Sequence, residues 1–266
     1  MRRYSKLKNL LLLSIITTFK LIAKPHYETI FLSHPRTGTN WSISCLQALT
    51  KRPIQKLIEH DEQQSTYKNR LGLDLETTKS PIHRSHALLS KGFIETHQPK
   101  ILMILRNYRE VLLRYIHTNY HNLSKSKLTK TKLSRITKYE LDSYLKRLIQ
   151  FHKIDPERRH LYKYEDLIEH PKVTLTQILQ FLDEPLEPLD TFMENYESHR
   201  LACLTSYHNQ WKRQGNGSNT KGTNTQFYTD LAPKTYIKII DELVKKAAPP
   251  HIWESYLKQY CTEAPQ

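Results

Sequence analysis

The sequence is poor in cysteine and contains no paired cysteine motif. Its three cysteines, Cys45, Cys203 and Cys261, lie far apart along the chain. Neither a CxxC pattern nor a cysteine and histidine spacing typical of zinc ligands is present. These absences exclude a disulfide-rich secreted scaffold and a structural zinc site, and they favour a reducing compartment.

A long hydrophobic run is also missing. A membrane-spanning helix needs about 20 consecutive apolar residues, and the absence of such a run excludes an integral membrane protein. Residues 1–25 form a separate segment in which basic residues precede a short apolar stretch, Leu10 to Phe19. The segment resembles a secretory signal but lacks a small-x-small cleavage site. A signal peptide is therefore weighed equally against an interfacial anchor or an amphipathic first helix. We expect a cytoplasmic protein whose membrane contact, if any, is through this segment.

Acidic residues are scarce relative to basic ones. The 266-residue chain has 41 Lys and Arg against 26 Asp and Glu, which gives a formal net charge of +15. Much of the excess lies at the N-terminus and between Ser124 and Lys138, where no acidic residue occurs. This balance implies an anionic partner: a nucleic acid, an acidic lipid, or a phosphorylated or sulfated small molecule.

Glycine is scarce as well, with six residues in the chain. The dinucleotide-binding pattern GxGxxG is absent. A partial match to the Walker A loop, from Gly217 to Gly222, has Thr223 where the lysine belongs and follows no predicted strand. The two standard glycine-rich nucleotide motifs are therefore excluded.

The sequence does contain an alternation of short apolar runs and helix-period segments. This alternation is typical of an α/β domain with a parallel sheet flanked by helices. Lys100 to Leu105 is the clearest strand, because near-continuous apolar character marks a strand that is covered on both faces. We predict one domain over residues 26–262. The other predicted strands are Thr29–Ser33 and His160–Tyr164; the predicted helices are Trp41–Leu49, Arg109–Tyr120, Tyr139–Lys153, Val173–Leu182, Pro233–Lys246 and His251–Tyr260, with a polar loop over Trp211–Thr229.

The turn after the first predicted strand has the composition of an anion site. Pro35 to Trp41 has the sequence PRTGTNW. A tight turn between a strand and a helix points backbone N–H groups and the positive helix end at one place. Gly38 permits close backbone approach, Thr37 and Thr39 add hydroxyl donors, and Arg36 adds a fork of charged donors. Taken alone, the segment is equally compatible with an ordinary strand-to-helix turn.

Pro35 to Trp41 resembles the 5′-phosphosulfate loop of the sulfotransferases that use 3′-phosphoadenylylsulfate (PAPS). Three further segments resemble other motifs of that family, in the family's order: a strand followed by Arg106-Asn107, the box Tyr164-Glu165-Asp166-Leu167, and Thr205-Ser206-Tyr207. The resemblance covers roughly Thr29 to Leu243. It implies a three-layer, P-loop NTPase-like fold and the transfer of a sulfuryl group from PAPS to a hydroxyl or amine, which leaves 3′,5′-ADP (PAP).

The resemblance also implies a role for each matching residue. Arg36 would contact the transferring sulfuryl group and the 5′-phosphate, and Arg106 would contact the 3′-phosphate. The phosphosulfate oxygens would meet Thr37, Gly38, Thr39 and Asn40. The adenine would lie against Trp41, Tyr164, Thr205 and Tyr207.

Two positions depart from the family pattern. Arg114 replaces the serine that the family has eight residues after the arginine of the 3′-phosphate site. The family's Arg-Lys-Gly phosphate clamp has Lys221-Gly222 as its nearest counterpart, and Arg213 is a competing candidate. We include Arg114, Lys221 and Gly222 among the expected cofactor contacts.

The reaction also needs a group that takes the acceptor's proton. Sulfuryl transfer resembles phosphoryl transfer in its loose, in-line transition state, so positioning and electrostatics do most of the work, and we expect no metal ion. His83 precedes a Leu-Leu pair and resembles the catalytic histidine of cytosolic sulfotransferases. His86 is the second candidate, and a carboxylate, Glu59 or Asp61, is the third.

Three other functions are weighed against sulfotransfer. A catalytically inactive nucleotide-binding relative stays open because of the altered phosphate positions. A P-loop kinase-like phosphotransferase lacks the required lysine and magnesium carboxylate. A nucleic-acid-binding module is disfavoured because the basic stretch has no interleaved aromatic residues, so we predict no nucleic-acid partner. The acceptor, which is a glycan, a lipid headgroup or a small molecule, would be selected by the polar and basic loops Glu59–Lys79 and Ser124–Lys138.

Overall fold

The computed structural model of the chain describes residues 27–57, 65–67, 69–120, 128–213, 229–230 and 232–261, without the side chains of residues 118–120 and 207–213. The strands are β1 (Thr29–Ser33), β2 (Ile54–Lys56), β3 (Ile82–Ser85), β4 (Lys100–Leu105) and β5 (Arg159–Lys163). They form one sheet in the order β2-β3-β1-β4-β5. All four neighbouring pairs are parallel.

Helices connect the strands and cover both faces of the sheet. They are α1 (Thr39–Thr50), α2 (Lys91–His97), α3 (Tyr108–Tyr120), α4 (Lys130–His152), α5 (Tyr164–Glu169), α6 (Pro171–Phe181), α7 (Glu187–Glu194), α8 (Tyr196–Arg213) and α9 (Lys234–Ala247). A 3-10 turn at Pro156–Arg158 precedes β5. The described part of the chain ends in short helical turns at Pro250–Ile252, Trp253–Leu257 and Lys258–Tyr260.

The core lies in two layers, one on each face of the sheet. Alternate residues of a strand point to opposite faces, so Ile30 and Leu32 of β1 pack with α3, α4 and α9, while Phe31 packs with α1, α6 and α7. All three side chains are fully buried. The predicted α/β class, with a three-layer parallel sheet flanked by helices, is confirmed.

Two strands, β2 and β3, four helices, α2, α5, α7 and α8, and the start of α4 were not predicted. Strand β3 was missed because its sequence is polar, although His83, Arg84 and Ser85 are all buried in the structure. Helix α4 begins at Lys130, where the Thr129 side chain accepts a hydrogen bond from the Lys132 N–H. The basic stretch that we assigned to an acceptor loop is therefore helical from Lys130 onward, because its apolar residues at helical spacing, such as Leu133 and Ile136, are buried.

The prediction of a loop over Trp211–Thr229 is also partly wrong. Residues 211–213 belong to α8, residues 229–230 are helical, and residues 214–228 lie outside the described residues. The N-terminal segment 1–25 lies outside them as well. Within the part of the chain that the structure describes, no helix is long and apolar enough to cross a membrane.

An ion pair joins the start of α3 to α9. The Arg109 guanidinium donates to both carboxylate oxygens of Asp241 at 2.8 Å, and the Tyr108 hydroxyl donates to the same carboxylate at 2.9 Å. Arg109 and Tyr108 are buried. Because α3 begins directly after the carboxyl end of β4, this pair fixes the helix beside the edge where ligands bind in open α/β sheets.

We predict that Asp241→Ala lowers the free energy of unfolding by about 2–4 kcal/mol, since it leaves a buried guanidinium and a buried hydroxyl without their acceptor. Urea unfolding measures the change. Glu242→Ala, which removes an exposed carboxylate from the next position of the same helix, should alter it by less than about 0.5 kcal/mol. Equal, small losses in both variants would contradict the role of the ion pair.

Candidate active site

The loop between β1 and α1, residues 34–38, lies at the carboxyl end of the central strand. Gly38 is the N-cap of α1 with a φ of 99°, and Arg36 also has a positive φ, 74°. The cap supplies no side-chain acceptor, and the first turn of α1 contains no acidic residue. The first-turn N–H groups of a helix have no intrahelical partners and carry partial positive charge. The loop therefore has the geometry of an anion site.

The ring of Tyr164, the first residue of α5, packs directly against Gly38. A Cβ atom at position 38 would lie 2.2 Å from Cδ2 of that ring, far inside contact distance. The guanidinium carbon of Arg106 lies 4.2 Å from the centre of the same ring. The sequence predicts a close approach at Gly38, and the group that approaches is the ring of Tyr164. The loop, the Arg106 segment and the Tyr164 segment therefore meet at this ring.

The two threonines of the loop differ in their hydrogen bonds. The Thr37 hydroxyl donates to the His34 carbonyl at 2.7 Å, so its proton stabilises the turn itself. The Thr39 hydroxyl oxygen is buried and has no hydrogen-bond partner among the described residues. The Trp41 N–H donates to the Gly38 carbonyl at 3.1 Å. The Thr39 hydroxyl and the N–H groups of Thr39 and of half-buried Asn40 are therefore the donors best placed for a ligand.

Trp41 lies in the core beside the loop. Its indole N–H donates to the Tyr196 hydroxyl at 3.1 Å, and its ring stacks on Phe192 at 6.3 Å. Only 5% of Trp41 is exposed, so in this structure the ring mainly packs α1 against α7 and α8. Its predicted contact with adenine stays a prediction.

The fourth motif lies on α8 next to α1. Thr205 is exposed there, two residues after Cys203. The Cys203 sulfur accepts a hydrogen bond from the Ser44 hydroxyl at 3.3 Å and lies 3.7 Å from the Asn40 carbonyl oxygen. The side chains of Tyr207 and Arg213, and all of Glu59, Asp61, Lys221 and Gly222, lie outside the described residues.

A buried carboxylate joins the two predicted 3′-phosphate arginines. Arg106 follows β4 directly, and its Nη1 donates to the Arg36 carbonyl at 3.4 Å. Glu110, fully buried, lies 3.8 Å from Arg106 Nη2 and accepts from Arg114 Nε at 2.7 Å. The backbone N–H of Thr229 donates to its second oxygen at 3.0 Å. Glu165, whose Oε1 accepts from the backbone N–H of Asn107 at 3.0 Å, is a second carboxyl group that acts on Arg106. Arg114 therefore adds a second cation to a cluster that contains two carboxyl groups.

The two candidate histidines, one in β3 and one directly after it, occupy different depths of the sheet. His83 pairs with Ile30, three residues before the end of β1, which places it roughly 10 Å below the carboxyl edge. It is 5% exposed, and its ring packs edge-on against Tyr27. His86 follows the end of β3, and its Nδ1 lies 2.7 Å from the carbonyl oxygen of Ser33, directly before the loop. The structure thus brings His86, and not His83, to the anion loop.

Hydrogen bonding fixes the tautomer of His86. A carbonyl oxygen only accepts, so Nδ1 carries the proton that is donated to Ser33, and Nε2 keeps a lone pair. Burial, followed by the positive charge of Arg84, lowers the pKa of His86 to about 3, so the ring is neutral near pH 7. The Arg147 Nε donates to the His86 carbonyl at 2.7 Å and holds its backbone.

Sequence reasoning missed the residues of α4 that reach this edge. Glu140, Tyr144 and Arg147 share one face of the helix at i, i+4 and i+7 spacing, and all are buried. The Tyr144 hydroxyl donates to the Arg106 carbonyl at 2.8 Å. The sequence does contain a signal for them, because Glu140 and Arg147 are charged residues on an otherwise apolar face of the predicted helix. Among the described residues, no group of three or more His, Cys, Asp or Glu side chains could hold a metal ion.

A parallel sheet with a glycine-capped loop between its central strand and the next helix has the architecture of a P-loop-like α/β domain. Residues 27–249 match the sulfotransferase domain family, and the chain belongs to that family. The predicted family resemblance is therefore confirmed, and sulfotransfer is supported as the general activity. No curated protein sequence matches the chain.

Two solved structures share the fold. Mouse sulfotransferase SULT7A1 complexed with PAP is 15% identical, with 91% of this chain and 90% of that chain covered and a TM-score of 0.52. Retinol dehydratase in a complex with retinol and PAP is 12% identical, with 86% of this chain and 82% of that chain covered and a TM-score of 0.55. At these identities the likeness establishes the fold alone.

We predict that Gly38→Ala lowers the free energy of unfolding by about 2–4 kcal/mol, because it combines backbone strain with overpacking against Tyr164. Denaturant unfolding measures the loss. Two other glycines separate the causes. Gly72 has a φ of 66° but open space around it, and Gly92 has neither constraint. Gly72→Ala should cost about 1–2 kcal/mol and Gly92→Ala should not destabilise, whereas equal effects at positions 38 and 72 would show that the Tyr164 contact is unimportant.

Proposed function

We propose that the protein transfers the sulfuryl group of PAPS to a hydroxyl or amine acceptor and releases PAP. The observation that carries the proposal is the position of His86, whose Nδ1 lies 2.7 Å from the carbonyl oxygen of Ser33, the last residue of β1. This position would put the proposed proton acceptor at the same edge of the sheet as the proposed donor site.

The donor site is proposed from three neighbouring features. The glycine-capped turn and Thr39 would bind the 5′-phosphosulfate oxygens, and Arg36 would neutralise the charge that develops on the sulfuryl and phosphate groups. Arg106 and Arg114 would bind the 3′-phosphate. Both solved relatives named above contain PAP in their structures, which supports PAPS as the donor. Trp41, Tyr164, Thr205 and Tyr207 would bound the adenine site.

The chemical step is an in-line displacement at sulfur. The acceptor oxygen or nitrogen forms a bond to sulfur as the bond from sulfur to the 5′-phosphate oxygen breaks, and the phosphate leaves as an anion on PAP. The acceptor's proton passes to Nε2 of His86. Arg36 and the backbone N–H groups meet the charge on the equatorial and leaving oxygens. No metal ion enters this proposal.

His86 replaces His83 as the proposed base. We expected His83 from its sequence neighbours, but its burial against Tyr27 and its depth in the sheet separate it from the loop. Its Nδ1 has no hydrogen-bond partner among the described residues. The acceptor class stays as proposed from the sequence: a glycan, a lipid headgroup or a small molecule, with membrane contact through residues 1–25.

We predict that Arg106→Ala weakens the binding of 3′,5′-ADP far more than the binding of 5′-AMP. Only the first nucleotide has the 3′-phosphate, and a charge-assisted hydrogen bond contributes roughly 1.5–3 kcal/mol, or about 10- to 150-fold in affinity. Calorimetric titration measures both constants. Arg158→Ala, which removes a guanidinium that pairs with Asp155 on the surface, is the matched control. Equal losses for the two nucleotides would move Arg106 out of the 3′-phosphate site.

We predict that His86→Ala lowers turnover by about 10²–10³ with PAP affinity nearly unchanged, because a general base acts in the transition state. His83→Ala is the matched control and should keep turnover. Without nucleotide the pKa of His86 is about 3, and the negative charge of a bound donor raises it. The acid limb of wild-type turnover at saturating donor should therefore lie above that ligand-free value. Loss of turnover in the His83 variant alone would restore our first assignment.

The overall proposal is tested with labelled PAPS and fractionated cell extract. A labelled product that forms with wild-type protein, and not with His86→Ala, identifies the acceptor class. PAP binding without any labelled product would favour the catalytically inactive relative. ATP binding in place of PAP would favour the kinase-like alternative.

A further inference from the structure

A buried arginine of β3 has no anionic partner within the described part of the chain. Arg84 is 8% exposed. Its Nη1 donates to the Tyr67 hydroxyl, and its guanidinium carbon lies 5.3 Å from the centre of the Tyr67 ring. Its buried Nε has no hydrogen-bond partner, and no described carboxylate pairs with the guanidinium. Because a buried charge without a counter-charge is costly, this guanidinium is suited to bind an anionic ligand.

Arg84 lies close to the proposed base. His86 follows it by two residues, so their Cα atoms are at most about 7 Å apart. The charge of Arg84 is also the largest cause, after burial, of the lowered pKa of His86. Arg147 approaches from α4, but its Nε and Nη2 donate to the His86 carbonyl and its Nη1 donates to the Ser143 carbonyl. Arg84 is therefore the nearby cation whose donors are not taken by the backbone.

The strand order separates this cation from the proposed donor site. Strands β3 and β4 lie on opposite sides of β1. The proposed PAPS site runs from the loop after β1 toward Arg106, after β4, and Tyr164, after β5. In an in-line displacement the acceptor reaches sulfur from the side opposite the leaving 5′-phosphate. The acceptor would therefore enter from the β3 side of the loop, where Arg84 and His86 lie.

The donors that Arg84 keeps available fit a carboxylate. The Nε–H and one Nη2–H of a guanidinium are parallel on one edge, and the two oxygens of a carboxylate accept from that edge together. The bond to Tyr67 uses Nη1, which lies outside this edge. One guanidinium offsets one negative charge, which matches a carboxylate better than a phosphate monoester with its nearly double charge.

We propose that the acceptor contains a carboxylate, and that Arg84 binds this carboxylate while His86 takes the proton from the acceptor's hydroxyl or amine. The carboxylate is bound and takes no part in the new bond to sulfur. The inference rests on the proposed function, because it uses His86 as the base and places the donor at the loop. It narrows the acceptor to a uronic-acid glycan, or to a lipid headgroup or small molecule with a carboxylate.

The first test uses wild-type protein, labelled PAPS and cell extract. Acceptor activity should be retained on an anion-exchange resin at neutral pH. Amidation of the retained material with a carbodiimide and methylamine should lower labelling by about 10- to 150-fold, the range for one charge-assisted hydrogen bond, whereas phosphatase treatment should not change it. Solvent partition, followed by gel filtration, then separates a lipid, a glycan and a small molecule as the source of the carboxylate.

Arg84→Gln tests the residue itself. It should raise KM for the retained acceptor by about 10- to 150-fold and leave 3′,5′-ADP affinity unchanged, because Arg84 contacts the acceptor and not the nucleotide. With amidated acceptor, the variant and wild type should have the same KM. Arg158→Gln, which removes a guanidinium paired with Asp155 on the surface, is the matched control and should change neither constant. Thermal unfolding checks that Arg84→Gln is folded.

Direct binding tests the subsite without turnover. Acetate and acetamide have nearly the same shape, and only acetate is charged. In wild-type protein saturated with 3′,5′-ADP, ligand-detected NMR should show that acetate binds at least about tenfold tighter than acetamide. Arg84→Lys, which keeps the charge but lacks the two parallel donors, should reduce this preference, and Arg158→Gln should leave it unchanged.

Four results would overturn the inference: acceptor activity in the unretained fraction, labelling that survives amidation, equal binding of acetate and acetamide to wild type, or equal losses of turnover with native and amidated acceptor in Arg84→Gln. The last result would assign Arg84 to the sulfuryl group of the donor. Failure of wild type to label any fraction would instead contradict the proposed function, and the acetate measurement would still decide whether Arg84 binds a carboxylate.

Discussion

The contact between Gly38 and the ring of Tyr164 is the constraint on which the candidate site depends. It requires a residue without a Cβ atom at the N-terminus of α1, and it fixes α5 against the loop. Arg106 lies over the same ring, so the start of α3 is positioned by the same aromatic side chain. Three segments that are remote in sequence therefore meet through one ring, and the backbone donors of α1 stay uncovered by any side-chain cap.

Carboxyl groups inside the protein offset part of the positive charge of the arginines at the site. Glu110 lies between Arg106 and Arg114, and its full burial makes it a permanent part of the arginine cluster. A second carboxyl group, Glu165, accepts a hydrogen bond from the Asn107 N–H at 3.0 Å and acts electrostatically on Arg106. Together the two groups limit the repulsion between the two cations. The net positive charge of +15 is accordingly only a coarse guide to the field at the loop.

The sequence predicted the fold class and the motif segments well, because those features are local. The strand Lys100 to Leu105 is continuously apolar, and the turn at Gly38 contains a complete motif. The strand β3 was missed because its buried residues are polar, and the depth of His83 depends on register with β1, which no local pattern contains. Glu140 and Arg147 were missed for the same reason: their partners, His34 and His86, lie on other elements.

The anchoring of His86 has a consequence for how the protein could diversify. Its ring is attached to β1 through Ser33, and its carbonyl is attached to α4 through Arg147. Neither anchor belongs to the segment that follows, where Ala87 and Leu88 are exposed. The Ala87 backbone is bonded to the Ser85 hydroxyl, and the Leu89 backbone is bonded to Gln150 of α4. The freedom to vary is therefore confined to the two exposed side chains between these bonds. Replacement of those side chains could reshape what the protein accepts without relocating the atom that takes the proton, which makes them natural positions for engineering new selectivity.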